Sequence, residues 1–311
     1  MTTPRLRLWL GLAVGLTFLY LAFRNAEFDT IWRLLGAAAL APMLASVSLR
    51  VASLWLRALR WRTILRPLEV MSMHRAFRLV ALGEISNGVL PIRGGDVVRV
   101  LLLSKEKPVS KAAGAASIVL EKLYDLGVVL VLLLATSVVL TSPAVVDLRL
   151  GWIAIGFAVV LLLLMVLARK GRVGQSSFPL AGVVARFRDG LRILQDGRQA
   201  LRVFGESLVL WALSGLGLYL VIVALHLPVP WYAGFFVIGV SAIGSLLPTA
   251  PAAIGTTELL FVIGFQPFAV DKNSALACAL LARGLQLVSL ALAGVVAATQ
   301  REGEMMREPS S

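Results

Sequence analysis

The feature that most constrains this chain is a series of long apolar runs, the first at residues 7–23. The others occupy residues 34–56, 112–140, 150–168, 203–225 and 275–298. Each is long enough for an α-helix, rising about 1.5 Å per residue, to cross a hydrocarbon core about 30 Å thick. A chain with 59% hydrophobic residues cannot hide that much apolar surface in a soluble core. The sequence therefore predicts an all-α integral membrane protein with about six transmembrane helices.

Two more apolar segments, 75–104 and 232–266, are interrupted near the middle by proline and glycine. If the N-terminus is cytoplasmic and both segments enter and leave on one side, 23 of the 30 lysines and arginines flank the cytoplasmic face and four the outer face. Complete crossings would instead expose the basic loop 169–202 outside, against the positive-inside rule. We therefore predict two re-entrant helical hairpins, oppositely oriented, that form an inverted repeat.

The same charge pattern predicts one polytopic domain over residues 1–300 and a short tail at 301–311, with both termini cytoplasmic, in the inner (plasma) membrane. In the loop 169–202, apolar residues recur at helical spacing between basic ones. This spacing is typical of an amphipathic helix on the inner leaflet, and a solvated connector fits equally well. The net charge of +13 is explained by these flanking residues, so no nucleic-acid partner is predicted.

The first interruption, SNGVLPIRGGDVVRV at 86–100, combines helix breakers with charge. We expect Pro91 to end one half-helix and Gly94 and Gly95 to allow a tight reversal. Asp96 is then placed to cap the half-helix that follows.

A half-helix that starts at this tip offers free backbone N–H groups and partial positive charge. With Arg93 and Arg99 beside it, the tip would form an anion pocket for a phosphate group. A cytoplasmic loop with snorkelling arginines is the alternative, although Glu84 and Asn87 add polarity that snorkelling does not require.

Two carboxylates follow in the next predicted span, in IVLEKLYDLG at 118–127. Glu121 and Asp125 are four residues apart and share one helix face, so they would repel each other unless a cation lies between them. Lys122 points elsewhere on the helix, and Arg93, Arg99 or Arg283 would have to supply the charge. Both a functional cluster and an ion-pair network that holds helices together are compatible with this pattern.

The second interruption, SLLPTAPAAIGTTE at 245–258, contains Pro248, Pro251 and Gly255. We expect Thr256 or Thr257 to cap the outgoing half-helix. Glu258 would lie in the first turn of this half-helix, where its carboxylate either interacts favourably with the helix dipole or balances a cation. Arg283 lies inside the last predicted span, where an unpaired guanidinium is unfavourable, and it is expected to pair with Glu258 or a lipid headgroup. Arg50 is predicted near the cytoplasmic end of its span, from which it can snorkel.

The sequence offers no motif for a soluble catalytic mechanism. It contains no G-x-x-x-x-G-K-[ST] phosphate loop, no H-E-x-x-H pattern and no Cys/His cluster, and Cys278 is its single cysteine. We therefore predict no metal, no cofactor and no catalytic residue.

The order of GEISNGVLPIRGGDVVRVLLL, SIVLEKLYDLGVVL, LPTAPAAIGTTE and an arginine in the last span resembles the flippase-like transmembrane domain of lysylphosphatidylglycerol synthases. The resemblance covers about residues 5–300. It implies movement of a lipid between leaflets, but not lysyl transfer, because that activity resides in a separate soluble domain of the two-domain relatives. Lys122 stands where many relatives have arginine.

We therefore predict a lipid flippase whose phosphate-bearing substrate crosses a polar cavity between the two hairpins. The residues predicted to contact the headgroup are Asn87, Arg93, Arg99, Lys122 and Arg283. The carboxylates predicted to hold these cations are Glu84, Asp96, Glu121, Asp125 and Glu258. The residues predicted to form the hairpin tips are Pro91, Gly94, Gly95, Pro248, Pro251 and Gly255.

Two alternatives remain open: a membrane enzyme that modifies lipids, and a lipid-binding scaffold for a partner enzyme. The expected partners are membrane lipids, anionic ones in particular. A homodimer and a partner lipid-synthesis enzyme are both compatible with the sequence.

Overall fold

The computed structural model describes residues 3–89, 94–139, 186–187, 189–244 and 253–305, and all regular structure within them is helical. The helices are α1 (Thr3–Phe23), α2 (Phe28–Gly36), α3 (Leu40–Leu65), α4 (Met73–Val89), α5 (Gly94–Glu106), α6 (Lys111–Val139), α7 (Gly197–Ala224), α8 (Tyr232–Gly244), α9 (Thr256–Phe265) and α10 (Lys272–Met305). Short 3₁₀ turns occur at Arg192–Gln195 and Gln266–Phe268. The predicted span at 150–168 and the residues Pro91, Arg93, Pro248 and Pro251 lie outside the described residues.

Two described helices are long and apolar enough to cross a membrane, namely α7 and the Lys272–Thr299 part of α10. Helices α2 and α3 reach the same criterion only as a pair, and the chain bends by 86° between them. The all-α membrane class expected from the sequence is therefore confirmed in the described residues.

The bend between α2 and α3 shifts a helix that the sequence placed at 34–56. Helix α2 ends at Gly36, and the N–H of Ala39 donates to the carbonyl of Ala224 at the end of α7 (2.9 Å). Helix α3 then continues to Leu65. The break between Gly36 and Leu40 lies within an apolar run, so hydropathy did not reveal it. The arginines from Arg57 onward suggested that the helix ends at residue 56, but it continues to Leu65.

Helices α4 and α5 form an antiparallel hairpin. Near its open end Nη2 of Arg78 lies 2.7 Å from Oε2 of Glu106. Near its tip the side chain of Asn87 accepts a hydrogen bond from the N–H of Gly95 (2.9 Å). A Cβ at Gly95 would lie 2.7 Å from the backbone nitrogen of Asn87, so the absence of a side chain lets the two helices meet here.

Helices α8 and α9 form a second antiparallel hairpin, also packed through glycine. A Cβ at Gly244 would lie 2.7 Å from Cδ2 of Leu260. At the other end of the hairpin, a Cβ at Gly264 would lie 3.3 Å from Cα of Val237. The loop that joins α8 to α9 lies mostly outside the described residues.

The helix contacts repeat between the two halves of the chain. Helix α3 packs on α4, α7 and α10, and α7 packs on α8, α3 and α6. The pairs α4–α5, α5–α6 and α4–α10 correspond in the same way to α8–α9, α9–α10 and α8–α6. If helices α3, α4, α5 and α6 change places with α7, α8, α9 and α10, the same set of helix contacts results.

The two central helices of this repeat, α3 and α7, run antiparallel. Near the start of α3, Oγ of Ser46 donates to the carbonyl of Gly217 (2.8 Å). Near its end, Oγ1 of Thr63 donates to Oε1 of Glu206 (3.2 Å). Two halves that exchange antiparallel helices are related by an axis perpendicular to those helices.

The described part of the loop before α7 packs on the protein. Leu191, Ile193 and Leu194 are buried in one apolar cluster with Ile64 of α3 and Leu120 of α6. The sequence placed Val184, Phe187, Leu191 and Leu194 on the apolar face of an amphipathic helix at the lipid surface, but Leu191 and Leu194 instead cover neighbouring helices. Val184 lies outside the described residues.

Candidate functional site

The candidate site is a network of charged side chains between the first hairpin and helices α3, α6 and α7. At its centre is the fully buried carboxylate of Glu121 on α6. Its Oε2 lies 2.9 Å from Nη2 of Arg99 on α5, and its Oε1 lies 3.2 Å from Nη2 of Arg60 on α3. Nη1 of Arg57, one turn before Arg60, lies 3.8 Å from the same Oε1.

The second carboxylate of α6, Asp125, binds the other side of Arg60. The guanidinium of Arg60 donates to both carboxylate oxygens, and also to Oγ of Ser207 on α7 (2.9 Å). The indole N–H of Trp211, also on α7, donates to Oδ1 of Asp125 (2.9 Å). A cation does lie between the two carboxylates, as the sequence required, but it is Arg60, which was not among the expected Arg93, Arg99 and Arg283.

Arg99 is held on two sides. Its guanidinium carbon lies 4.3 Å from the ring centroid of Trp61, a cation–π geometry, while Glu121 binds the terminal nitrogens. A Cβ at Gly83 of α4 would lie 2.5 Å from Cδ of Arg99. The glycine therefore gives this side chain room to cross the hairpin toward α6.

The network has a sealed interior and a partly accessible rim. The side chains of Arg60, Arg99 and Glu121 are not exposed at all. By contrast, Lys122 is 26% exposed and lies 3.4 Å from Asp96, and Arg57 is 23% exposed and lies 3.5 Å from Glu84. A ligand that approaches from outside therefore meets Lys122 and Arg57 before the other cations of the network.

The start of α5 differs from the prediction. The helix begins at Gly94, and Asp96 lies in its first turn instead of capping it. Asn87 supplies a side-chain acceptor, because its Oδ1 binds the N–H of Gly95. One of the N–H groups expected to bind an anion is therefore already occupied.

Glu258 and Arg283 form a second charged pair, between α9 and α10. Nε of Arg283 lies 2.8 Å from Oε1 of Glu258, which confirms one of the two partners expected for this arginine. Oε2 of the same carboxylate accepts the N–H of Gly255 (2.8 Å). Arg283 remains 22% exposed.

The expectation that Thr256 or Thr257 caps α9 was wrong. The N-cap residue is Gly255, which has φ +82°, a value that side-chain-bearing residues rarely adopt. Thr257 donates back to the carbonyl of Ala253 (3.2 Å), and Oγ1 of Thr256 is buried without a hydrogen bond to any described residue.

Five residues of the network were not identified from the sequence: Arg57, Arg60, Trp61, Ser207 and Trp211. Arg57 and Arg60 belong to a basic stretch, RALRWR at 57–62, that resembles the flank of a span. A signal was nevertheless present. Arg57, Arg60 and Trp61 recur at spacings of three and four, so they share one face of a helix that continues.

The site can bind and orient charge. Its cations are Arg57, Arg60, Arg99 and Lys122, and its carboxylates are Glu84, Asp96, Glu121 and Asp125. The equal numbers leave the network as a whole neutral, which favours the burial of its inner members. The described residues contain no group of histidine, cysteine and acidic side chains placed to hold a metal ion.

Two described helices long enough to span a bilayer, in an all-helical fold that also buries paired charges, define a polytopic helical membrane protein. Residues 8–294 match the family described as the lysylphosphatidylglycerol synthase TM region. The chain belongs to this family.

Two curated relatives show how the match is distributed. Glycosyltransferase AglD of Haloferax volcanii is 28% identical over an aligned length of 340, and the alignment covers 94% of this chain and 54% of AglD. This chain thus spans about half the length of AglD. The UPF0104 membrane protein MJ1078 of Methanocaldococcus jannaschii is 22% identical over 72% of this chain and 97% of its own length.

Proposed function

We propose that the protein moves a phosphate-bearing lipid between the leaflets of a membrane. The observation that carries the proposal is the buried ion-pair network with its accessible rim at Lys122 and Arg57. Charged groups inside a membrane are unfavourable and commonly mark a substrate path. Phospholipids, aminoacylated phospholipids and phosphate-bearing polyprenyl- or hopanoid-linked lipids share the phosphate group that such a rim would attract.

The short helices of the two hairpins support a re-entrant arrangement, in which each hairpin enters and leaves the membrane on the same side. Helices α8 and α9 have 13 and 10 residues and α5 has 13. At about 1.5 Å per residue, each is much shorter than a hydrocarbon core of about 30 Å. A hairpin of this kind enters and leaves on one face, with its tip inside the membrane. Non-helical backbone at that depth is tolerated where it lines a polar cavity.

The repeated packing supports an inverted arrangement. Because α3 and α7 exchange places and run antiparallel, the first hairpin would approach from one face and the second from the other. Transporters with oppositely oriented broken helices bind substrate between the two repeats. The basic flanks favour an inner membrane with both termini in the cytoplasm.

In the proposed cycle, the lipid headgroup contacts Lys122 on one side and Arg283 on the other, while its tails stay in lipid. Arg99 and Asn87 do not contact the headgroup in this cycle. Arg99 fixes the first hairpin against α6, and Asn87 fixes the start of α5 against α4. The headgroup then avoids the free-energy cost of entering hydrocarbon as a bare charge.

The proposal is tested by transport of a fluorescent phosphatidylglycerol in proteoliposomes, with a membrane-impermeant reductant reporting the outer leaflet. Lys122→Gln should slow transport several-fold at equal protein content. Lys107→Gln is the matched control, because Lys107 is paired with Glu69 (2.9 Å) and similarly exposed, but lies at the hairpin base. Equal rates for both variants and the wild type would remove Lys122 from the path.

A second candidate is an enzyme that transfers a sugar or another group to a lipid. It is favoured by the name of AglD, which matches 94% of this chain. However, 46% of AglD lies outside the match, so transfer could reside there. Incubating the protein with lipid and a nucleotide-sugar donor distinguishes the two: a lipid of changed mass indicates transfer, and an unchanged lipid in the opposite leaflet indicates transport.

A further inference from the structure

Arg50 occupies the middle of α3, whose range Leu40–Leu65 places it well away from both ends. The helix starts about 15 Å before Arg50 and ends about 22 Å after it, at about 1.5 Å per residue. An arginine side chain is much shorter than either distance, so Arg50 cannot reach an end of α3 by extending along the helix. The expectation that Arg50 snorkels to the membrane surface stays a prediction.

Arg50 is partly exposed, and its neighbours along α3 belong to the interior of the bundle. It shares a helix face with Val47 and Leu54, which lie three and four residues away. Val47 packs on the apolar cluster that contains Cys278, and Leu54 belongs to a second apolar cluster built from α3, α4, α5 and the end of α10. Arg50 therefore lies where two apolar clusters meet.

The guanidinium of Arg50 has no hydrogen bond or ion pair with any described residue, and its Nε is buried. The neighbouring hydroxyls are already engaged: Ser46 donates to the carbonyl of Gly217 and Ser53 to that of Leu49, both at 2.8 Å. The titratable group of the described residues that faces it is the buried thiol of Cys278 on α10.

This setting distinguishes Arg50 from the other arginines inside the bundle. Arg60, Arg99 and Arg283 each bind a carboxylate within 3.0 Å, whereas Arg50 has none in the part of the chain that the structure describes. A charge in such surroundings is strongly unfavourable unless an anion joins it. A guanidinium offers parallel N–H donors that match two oxygens of a phosphate.

We infer that Arg50 is the binding residue for a phosphate group in the middle of the helix bundle, a site separate from the ion-pair network at the first hairpin. The inference rests on the proposed function for its lipid source, since a headgroup in transit would pass between the two halves. Free phosphate has the same chemistry, and the experiment separates the two.

The test uses the full chain in a neutral detergent, with thermal unfolding measured alone, with phosphatidylglycerol and with inorganic phosphate. Arg50→Gln should abolish the stabilisation by phosphatidylglycerol, and without ligand it should unfold at the same or a higher temperature than the wild type. Arg50→Lys, which keeps the charge but loses the parallel N–H donors of the guanidinium, should retain part of the ligand-induced rise in unfolding temperature. Arg66→Gln, at the exposed end of the same helix, is the matched control and should behave like the wild type.

Transport assays on the same variants separate this inference from the proposed function. A drop of about tenfold for Arg50→Gln corresponds to one lost charge-assisted contact of about 1.4 kcal/mol. A wild type that does not transport, but whose ligand shift depends on Arg50, removes the flippase and keeps the site. A shift from inorganic phosphate alone keeps the site and assigns it to free phosphate. Overturning results are an unchanged ligand shift in Arg50→Gln, no shift in the wild type with either probe, or a lower unfolding temperature of ligand-free Arg50→Gln.

Discussion

Arg99 and Glu121 join the outgoing helix of the first hairpin to α6, with Nη2 and Oε2 2.9 Å apart and neither side chain exposed. The second half has an ion pair at the corresponding place, between α9 and α10, but the charges are exchanged. There the carboxylate of Glu258 lies on the hairpin and the guanidinium of Arg283 on the following helix. Both halves therefore hold the second helix of the hairpin against the next long helix through an ion pair.

The interior of the first network is predicted to be sensitive to loss of its central charge. Glu121→Gln leaves Arg57, Arg60 and Arg99 facing a neutral amide, so buried positive charge is no longer balanced. Breaking such a cluster by removing one partner commonly costs about 3–5 kcal/mol. The measurement is reversible unfolding in detergent, followed by circular dichroism.

Glu69→Gln is the control for this prediction. Glu69 pairs with Lys107 at 2.9 Å, but both side chains are 21% exposed. Pairs at an accessible surface contribute less than about 1 kcal/mol. Losses of similar size at Glu121 and Glu69 would show that the network is not the point where the helices are fixed.

The network also shows what the sequence could and could not predict. Spacing alone placed Glu121 and Asp125 on one face and required a cation between them. Composition and proline–glycine interruptions located both hairpins, whose antiparallel helices the structure contains. The bridging cation was missed because Arg60 belongs to a basic run at the end of an apolar one, and such runs usually lie outside the bilayer; only its helical spacing to Arg57 pointed inward.

Helix ends were the other limit. The 86° bend between α2 and α3 falls within a continuous apolar stretch, so hydropathy did not reveal it. Its position depends on a tertiary contact, the hydrogen bond from Ala39 to Ala224 at the end of α7. That contact determines where α3 begins, and hence that Arg50 lies at mid-helix. Local propensity contains no such information.

The tip of the first hairpin should tolerate no side chain at Gly95. A Cβ there would lie 2.7 Å from the backbone nitrogen and from Oδ1 of Asn87, so Gly95→Ala must separate α4 from α5. We expect a loss of about 1–3 kcal/mol from this overpacking, measured by unfolding in detergent.

Gly88→Ala, on the facing helix of the same hairpin, is the matched control. No described residue lies within 4 Å of a Cβ at Gly88, so alanine meets no clash among them. Its better helix propensity should leave stability unchanged or raise it by up to about 1 kcal/mol. Comparable losses for the two alanine variants would contradict the close packing at Gly95.

The start of α7 should depend on pH through Asp196. The side chain and N–H of Gln199 and the N–H of Arg198 donate to this N-cap carboxylate, which lowers its pKa below the ordinary 3.8. Because the folded pKa is the lower one, the stabilisation is complete above the ordinary pKa and is lost as the pH falls through the folded value. Amide exchange in the first turn of α7 should therefore speed up on acidification below about pH 4 once corrected for intrinsic rates. In Asp196→Asn, whose amide keeps an acceptor but does not titrate, this acceleration should be absent.

The second hairpin should lose stability in two steps when first the charge and then the whole carboxyl group of Glu258 is removed. Glu258→Gln keeps an oxygen that can accept the N–H of Gly255 but removes the charge facing Arg283, whereas Glu258→Ala removes both contacts. We expect about 1–3 kcal/mol for the amide, the usual loss of a charged hydrogen bond, and a further loss of about 1–3 kcal/mol for alanine, which also leaves the N–H of Gly255 without its acceptor. Glu27→Gln at the exposed start of α2 should change the free energy of unfolding little, since its contacts are at the surface. If the amide and alanine variants unfold alike, the bond to Gly255 contributes nothing and the tip of α9 is fixed by Arg283 alone.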